Sequence, residues 1–178
     1  MVVDRNQTRQ LTYSAFFVAA GILLPMFFHF SRLSGAVFLP MHIPVLLGGL
    51  WLGRRAGFMI GLLIPLLSAL GTGMPPLWPA APMMMVELGL YGLAGGWLYQ
   101  RQHWPLLAAL AGAMAAGRLG MAVMVGLFAS TLGIQAPAVV YVGLTCLQGA
   151  PGMVLQLFFI PLTVRLLQRF YQKNGVEL

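Results

Sequence analysis

Acidic side chains are nearly absent from this chain. Its 178 residues hold three Asp and Glu against ten Lys and Arg, with 7% charged and 60% hydrophobic residues. A soluble globular domain carries roughly 25% charged and about 45–50% apolar residues, so that class is excluded. Cysteine is as scarce: the single Cys146 lies in an apolar run, which excludes a disulfide framework and a cysteine metal motif. The period-2 alternation of a membrane β-barrel is missing as well. The ten cations give a net charge of +7. They lie between apolar runs rather than in a patch with interleaved aromatics, which excludes a nucleic-acid-binding face. No span holds an Asp pair, and Gly-x-Ser-x-Gly, His-Glu-x-x-His and Walker-type phosphate-loop patterns are absent, so no enzyme constellation emerges.

What the chain has is long apolar runs. Lipid cannot satisfy exposed backbone groups, so such runs form spanning helices. Six segments are expected, at 11–30, 37–53, 57–70, 83–99, 104–130 and 139–167, in one all-α membrane domain covering residues 1–178. At about 1.5 Å per residue the first is long enough for a hydrocarbon core of roughly 30 Å. The third, at roughly 20 Å, is short. Its shortness leaves the Gly/Pro-rich stretch 71–82, GTGMPPLWPAAP, to dip towards the bilayer as a lid or re-entrant loop. Pro40 and Pro44 straddle His42, so the entry to the second helix is expected to be irregular, with backbone groups freed near the membrane surface.

Charge orients the bundle. Eight Lys and Arg, among them Arg5, Arg9, Arg54, Arg55, Arg101 and Arg165, fall on one side of a six-span topology, against Arg32 on the other. The positive-inside bias places both ends in the cytoplasm, the N-terminal one retained, and turns 71–82 outward.

Two charges lie inside spans. Glu87 is expected about one turn from the outer end of the fourth helix, and Arg118 about three turns from the outer end of the fifth. Ionisable groups at such depth are costly and mark functional sites. Glu87 and Arg118 either neutralise each other and pin two helices, or face a ligand. A mixed arrangement is expected, with the planar fork of Arg118 holding a carboxylate or phosphate while Glu87 orients it. Tyr91, four residues on from Glu87, shares its helix face, and Met83 and Met84 lie one turn before. Gln148 and Gln156 are polar groups that should face the bundle interior. His29 and His42 are further candidates, more readily interface histidines than metal ligands. Ala15 and Ala19 form a small-xxx-small pair that lets another helix approach closely. Without an ATP site, the chain would depend on a partner to energise uptake.

Three stretches resemble a known family. FLPMHIPVLLGGLWLG at the second helix, TGMPPLWPAAPMMMVELGLYGL at the outer loop and fourth helix, and the Ala15/Ala19 face are similar to the substrate-binding S components of energy-coupling factor (ECF) transporters. The likeness covers nearly the whole chain. It implies a prokaryotic, multi-pass cell-membrane subunit, inactive alone, that captures a small vitamin from outside. The Ala15/Ala19 face would dock on a transmembrane coupling subunit driven by two cytoplasmic ATPases, which use the ATP; the chain itself would need no cofactor. The substrate set implied is Arg118, Glu87, Tyr91, His42, Met74, Met84 and Gln148, with 31–38 and 71–82 as gating loops. The MHIPVLL and GMPP patterns resemble pantothenate-type members, while riboflavin, pyridoxine and other ring substrates stay open. A stand-alone permease is the alternative, as is a nickel or cobalt subunit. In the metal members, however, the Met-His pair stands at the mature N-terminus, whereas Met41-His42 is internal and Val45 follows Pro44, so no metal ligand is assigned.

Overall fold

In a computed structural model the chain is described over residues 5–30 and 35–173. Arg32 and the loop from residue 31 to 34 lie outside the described residues, as do the side chains of Arg5, His29, Arg169 and Lys173. The described residues form only helices: α1 (Arg5–Phe30), α2 (Gly35–Phe38), α3 (His42–Leu52), α4 (Arg54–Thr72), α5 (Ala80–Gly96), α6 (Leu106–Leu132) and α7 (Ala138–Lys173), with a π-helical turn Trp97–Arg101 after α5. Four of them, α1, α4, α6 and α7, are long and apolar enough to cross a membrane.

Two of the expected segments are rebuilt. The stretch 37–53 is interrupted where Leu39 takes a left-handed conformation (φ 51°) ahead of Pro40, so α3 has 11 residues and covers only about 16 Å. Pro44 sits in the first turn of α3, where its missing amide would lack an intrahelical partner anyway. The third segment is longer than expected. Gly53 alone, at φ 89°, turns the chain between α3 and α4, so Arg54 and Arg55 become the first turn of a 19-residue helix rather than a link. The Gly/Pro-rich stretch shrinks accordingly to residues 73–79. That loop closes on itself: the Ser68 hydroxyl donates to the Met74 carbonyl at 2.6 Å, and the Met74 amide donates to the Thr72 hydroxyl at 3.2 Å.

Helices α3, α4 and α5 form the centre, packed through glycines. A Cβ on Gly92 would run into the backbone of Gly57, and one on Gly49 would lie 2.5 Å from the Gly92 carbonyl oxygen. Such backbone contact lets helices approach where lipid offers no hydrophobic driving force. Around this contact lies the main core, including Leu46, Ile60, Ile64, Leu88, Tyr91 and Leu110, and a smaller cluster of Met83, Met121 and Val125 sits between α5 and α6. Helix α1 lies on the outside of the bundle, and its Gly21 takes the Ile64 side chain of α4.

Several contacts gather the basic helix ends at one end of the bundle. The Gln100 amide donates to the carbonyls of Leu50 (2.8 Å) and Trp51 (2.9 Å), capping the last turn of α3 from the π-helical turn that follows α5. Gln10 of α1 donates to Leu52 there. A groove of about 360 Å³ joins Tyr99 and Trp104 to Pro161 and Arg165 of α7.

Candidate functional site

The interior of the bundle holds one polar cluster built from four helices. Helix α5 supplies Glu87 and Tyr91, one turn apart on the same face and both buried. Helix α6 supplies Arg118. It comes close because Gly117 precedes the arginine: a Cβ there would strike the Tyr91 ring and lie 2.9 Å from the Glu87 carbonyl oxygen. Helix α3 supplies His42 at its first position, which the break at Leu39–Met41 turns inward. Helix α7 lies against the cluster through glycines: a Cβ on Gly149 would sit 3.2 Å from Arg118 Nη2.

Glu87 Oε1 is the hub. Arg118 Nη1 lies 3.0 Å from it and His42 Nε2 3.5 Å, with side-chain exposures of 3% for Glu87, 11% for Arg118 and 2% for His42. Neither contact lies along a hydrogen-bond direction, so the oxygen is held by charge and proximity. The His42 ring meets Tyr91 edge-on, at 4.9 Å between centroids and 78° between planes. Arg118 Nη1 also reaches Met121 Sδ at 3.9 Å, and the Thr145 hydroxyl of α7 approaches the same sulfur at 3.8 Å.

The guanidinium is therefore used on one side only. Nη1 is directed at Glu87 and Met121, whereas Nε and Nη2, which share the other edge of the plane, are buried without a hydrogen-bond partner. The Tyr91 hydroxyl, beside the Arg118 guanidinium, and both His42 nitrogens are also buried without a well-formed hydrogen bond, although His42 Nε2 stands 3.5 Å from Glu87 Oε1. Buried polar groups are nearly always hydrogen-bonded, and leaving one unpaired costs about 1–3 kcal/mol. Five such atoms around one carboxylate describe a donor-rich site suited to a ligand that brings acceptors. Nε and Nη2 form the fork that grips a carboxylate through two parallel hydrogen bonds.

Of the residues named from the sequence, Glu87, Arg118, His42 and Tyr91 meet. Met84 is half-buried at the edge of the main core. Met74 lies on the loop at 52% exposure, and Gln148 faces outward on α7, so neither joins the cluster. Gln156 is fully buried instead. Eight residues at about 100° each put Gln148 and Gln156 roughly 80° apart on α7, near enough to share a face, and packing covers only Gln156. The depths also shift. Because α5 starts at Ala80 and α6 runs to Leu132, Glu87 is about two turns from the start of α5 and Arg118 about four turns from the end of α6. Reasoning from the sequence missed Met121, Thr145 and Gly149; the i,i+3 spacing from Arg118 pointed to Met121, and the glycine spacing of α7, Gly149 and Gly152 ahead of Gln156, hinted at a face. Among the described residues, no three His, Cys, Asp or Glu side chains converge as a metal site would require.

A family model for the substrate-specific component of ECF transporters matches residues 9–165. The chain belongs to that family. No curated protein and no solved structure matches it. As an S component it is a multi-pass membrane protein and the substrate-specific subunit of a transporter, one that binds a small substrate and works with a coupling module and ATPases. Its only carboxylate among the described residues, Glu87, lies in the cluster described above.

Proposed function

We propose that this S component captures a small vitamin or vitamin precursor bearing a carboxylate, with pantothenate the best fit, and that Arg118 is its anion-binding group. The observation that carries the reading is the divided guanidinium: Glu87 takes Nη1 while the Nε–Nη2 edge is buried and unpartnered. Glu87 orients the fork, and Tyr91 and His42 supply further polar contacts beside it. The subunit binds its substrate without transforming it and hands it to a transmembrane coupling subunit and two cytoplasmic ATPases in the prokaryotic cell membrane. Ala15 and Ala19, both on the exposed face of α1, are the docking surface for the coupling subunit.

In the same reading the chain crosses six times, with both termini cytoplasmic. Helices α2 and α3 count together as one crossing, and α5 with its π-helical turn as another. The gathering of Arg9, Arg54, Arg55, Arg101 and Arg165 towards one end of the bundle supports that orientation.

The deciding experiment is mass spectrometry of small molecules retained by the purified protein, followed by calorimetric titration with pantothenate. Retention of a carboxylate-bearing vitamin is expected. Retention of an uncharged or cationic molecule alone would sink the anion reading.

A further inference from the structure

Gln156 belongs to a part of the molecule that the anion-binding reading does not use. Its side chain is fully buried on α7. Its amide nitrogen donates to the Leu39 carbonyl oxygen at 3.4 Å, while its own carbonyl oxygen, Oε1, is buried with no partner. That Leu39 oxygen also accepts the backbone amide of His42 at 3.1 Å. The glutamine thus stands against the turn that aims His42 at Glu87.

Helix α7 meets this turn through one line of residues. A Cβ on Gly152 would lie 2.6 Å from the Val37 carbonyl oxygen, and one on Gly149 would lie 3.0 Å from the Leu39 side chain and 3.2 Å from Arg118 Nη2. Seven residues of helix separate Gly149 from Gln156, about 10 Å along the axis. One end of the line therefore touches the donor fork of Arg118, and the other ends in a buried acceptor.

The geometry points to a two-ended site in which Gln156 Oε1 accepts a hydrogen bond from a hydroxyl of the ligand, two helical turns along α7 from the Gly149 position that faces Arg118. This rests on the anion reading and adds the ligand class: a small acid with a hydroxyl remote from its carboxylate. A buried acceptor in a membrane protein cannot turn to water, so a ligand that fills it gains over one that leaves it orphaned.

The test compares two probes on the purified full-length protein by calorimetry: pantothenate, which has hydroxyls remote from its carboxylate, and its analogue with those hydroxyls replaced by hydrogen. Wild-type protein is expected to prefer the hydroxylated probe by about tenfold or more. The near-isosteric Gln156→Met is expected to erase that preference while leaving affinity for the analogue within about threefold, since the Arg118 end is untouched. Equal weakening of both probes would mean that Gln156 only holds Leu39, and would overturn the inference. Wild-type protein that binds both probes equally would overturn the inference alone, leaving the anion reading intact. Protein that binds neither would overturn the anion reading and this inference with it. Should Gln156→Met fail to fold, the wild-type comparison decides by the same criteria.

Discussion

Arg118 Nη1 lies 3.0 Å from Glu87 Oε1, and this contact uses one side of the guanidinium while leaving the Nε–Nη2 edge buried and unpartnered. A pair that served only to pin α5 to α6 would gain most by placing the fork squarely on the carboxylate. The offset geometry leaves the stronger binding edge for something else.

Arg118→Ala should weaken binding of a carboxylate ligand by about 2–5 kcal/mol, measured by calorimetry. Arg118→Lys should recover little, because an ammonium cannot reproduce the planar fork. Glu87→Gln should destabilise the apo protein by about 3–5 kcal/mol, since it leaves the arginine charge uncompensated. An anionic ligand then becomes the counter-charge. Its stabilisation in a melting experiment should therefore be larger in Glu87→Gln than in wild type. A smaller shift would count against Arg118 as the ligand group.

Gly149→Val should abolish ligand binding, at an overpacking cost to stability of about 1–3 kcal/mol. A Cβ there would lie 3.2 Å from Nη2 and 3.0 Å from the Leu39 side chain, so a branched side chain would occupy the space beside the fork. Unaltered affinity would show that ligand does not approach Arg118 from α7.

The double change Ala15→Leu with Ala19→Leu should separate binding from transport. Both alanines lie on the exposed face of α1, away from the polar cluster, so ligand affinity should stay within about twofold. Uptake by cells carrying the coupling module should fall to background as the helix faces lose close approach. Normal uptake would remove this face from the docking surface.

Gly92→Ala should cost about 1–3 kcal/mol or prevent accumulation in the membrane, since its Cβ would meet the Gly57 backbone, which has no side chain to turn aside. Gly143→Ala, where a Cβ would meet nothing within 4 Å, is the matched control and should leave thermal stability unchanged or slightly raised.

Much of this protein could be read without coordinates. Its helical membrane class follows from apolar runs long enough to span and too poorly charged for water. The cost of burying charge marked Glu87 and Arg118, and the four-residue spacing put Tyr91 on the face of Glu87. These are local or compositional properties, carried by single residues or by the helical period. Other features depend on the angle at which helices meet. Gln148 and Gln156 look equivalent in the chain, yet packing buries one and exposes the other. The reach of α4 back to Arg54 rests on one glycine making the entire turn. Thr145 and Gly149 came beside Met121 and Arg118 only because glycine contacts bring α7 close to α6, whereas Met121, three residues on from Arg118, follows from the helical period of α6 alone. Which edge of the guanidinium Glu87 takes is likewise set by tertiary packing, because it depends on the distance and rotation between two helices, and no spacing along one chain encodes either.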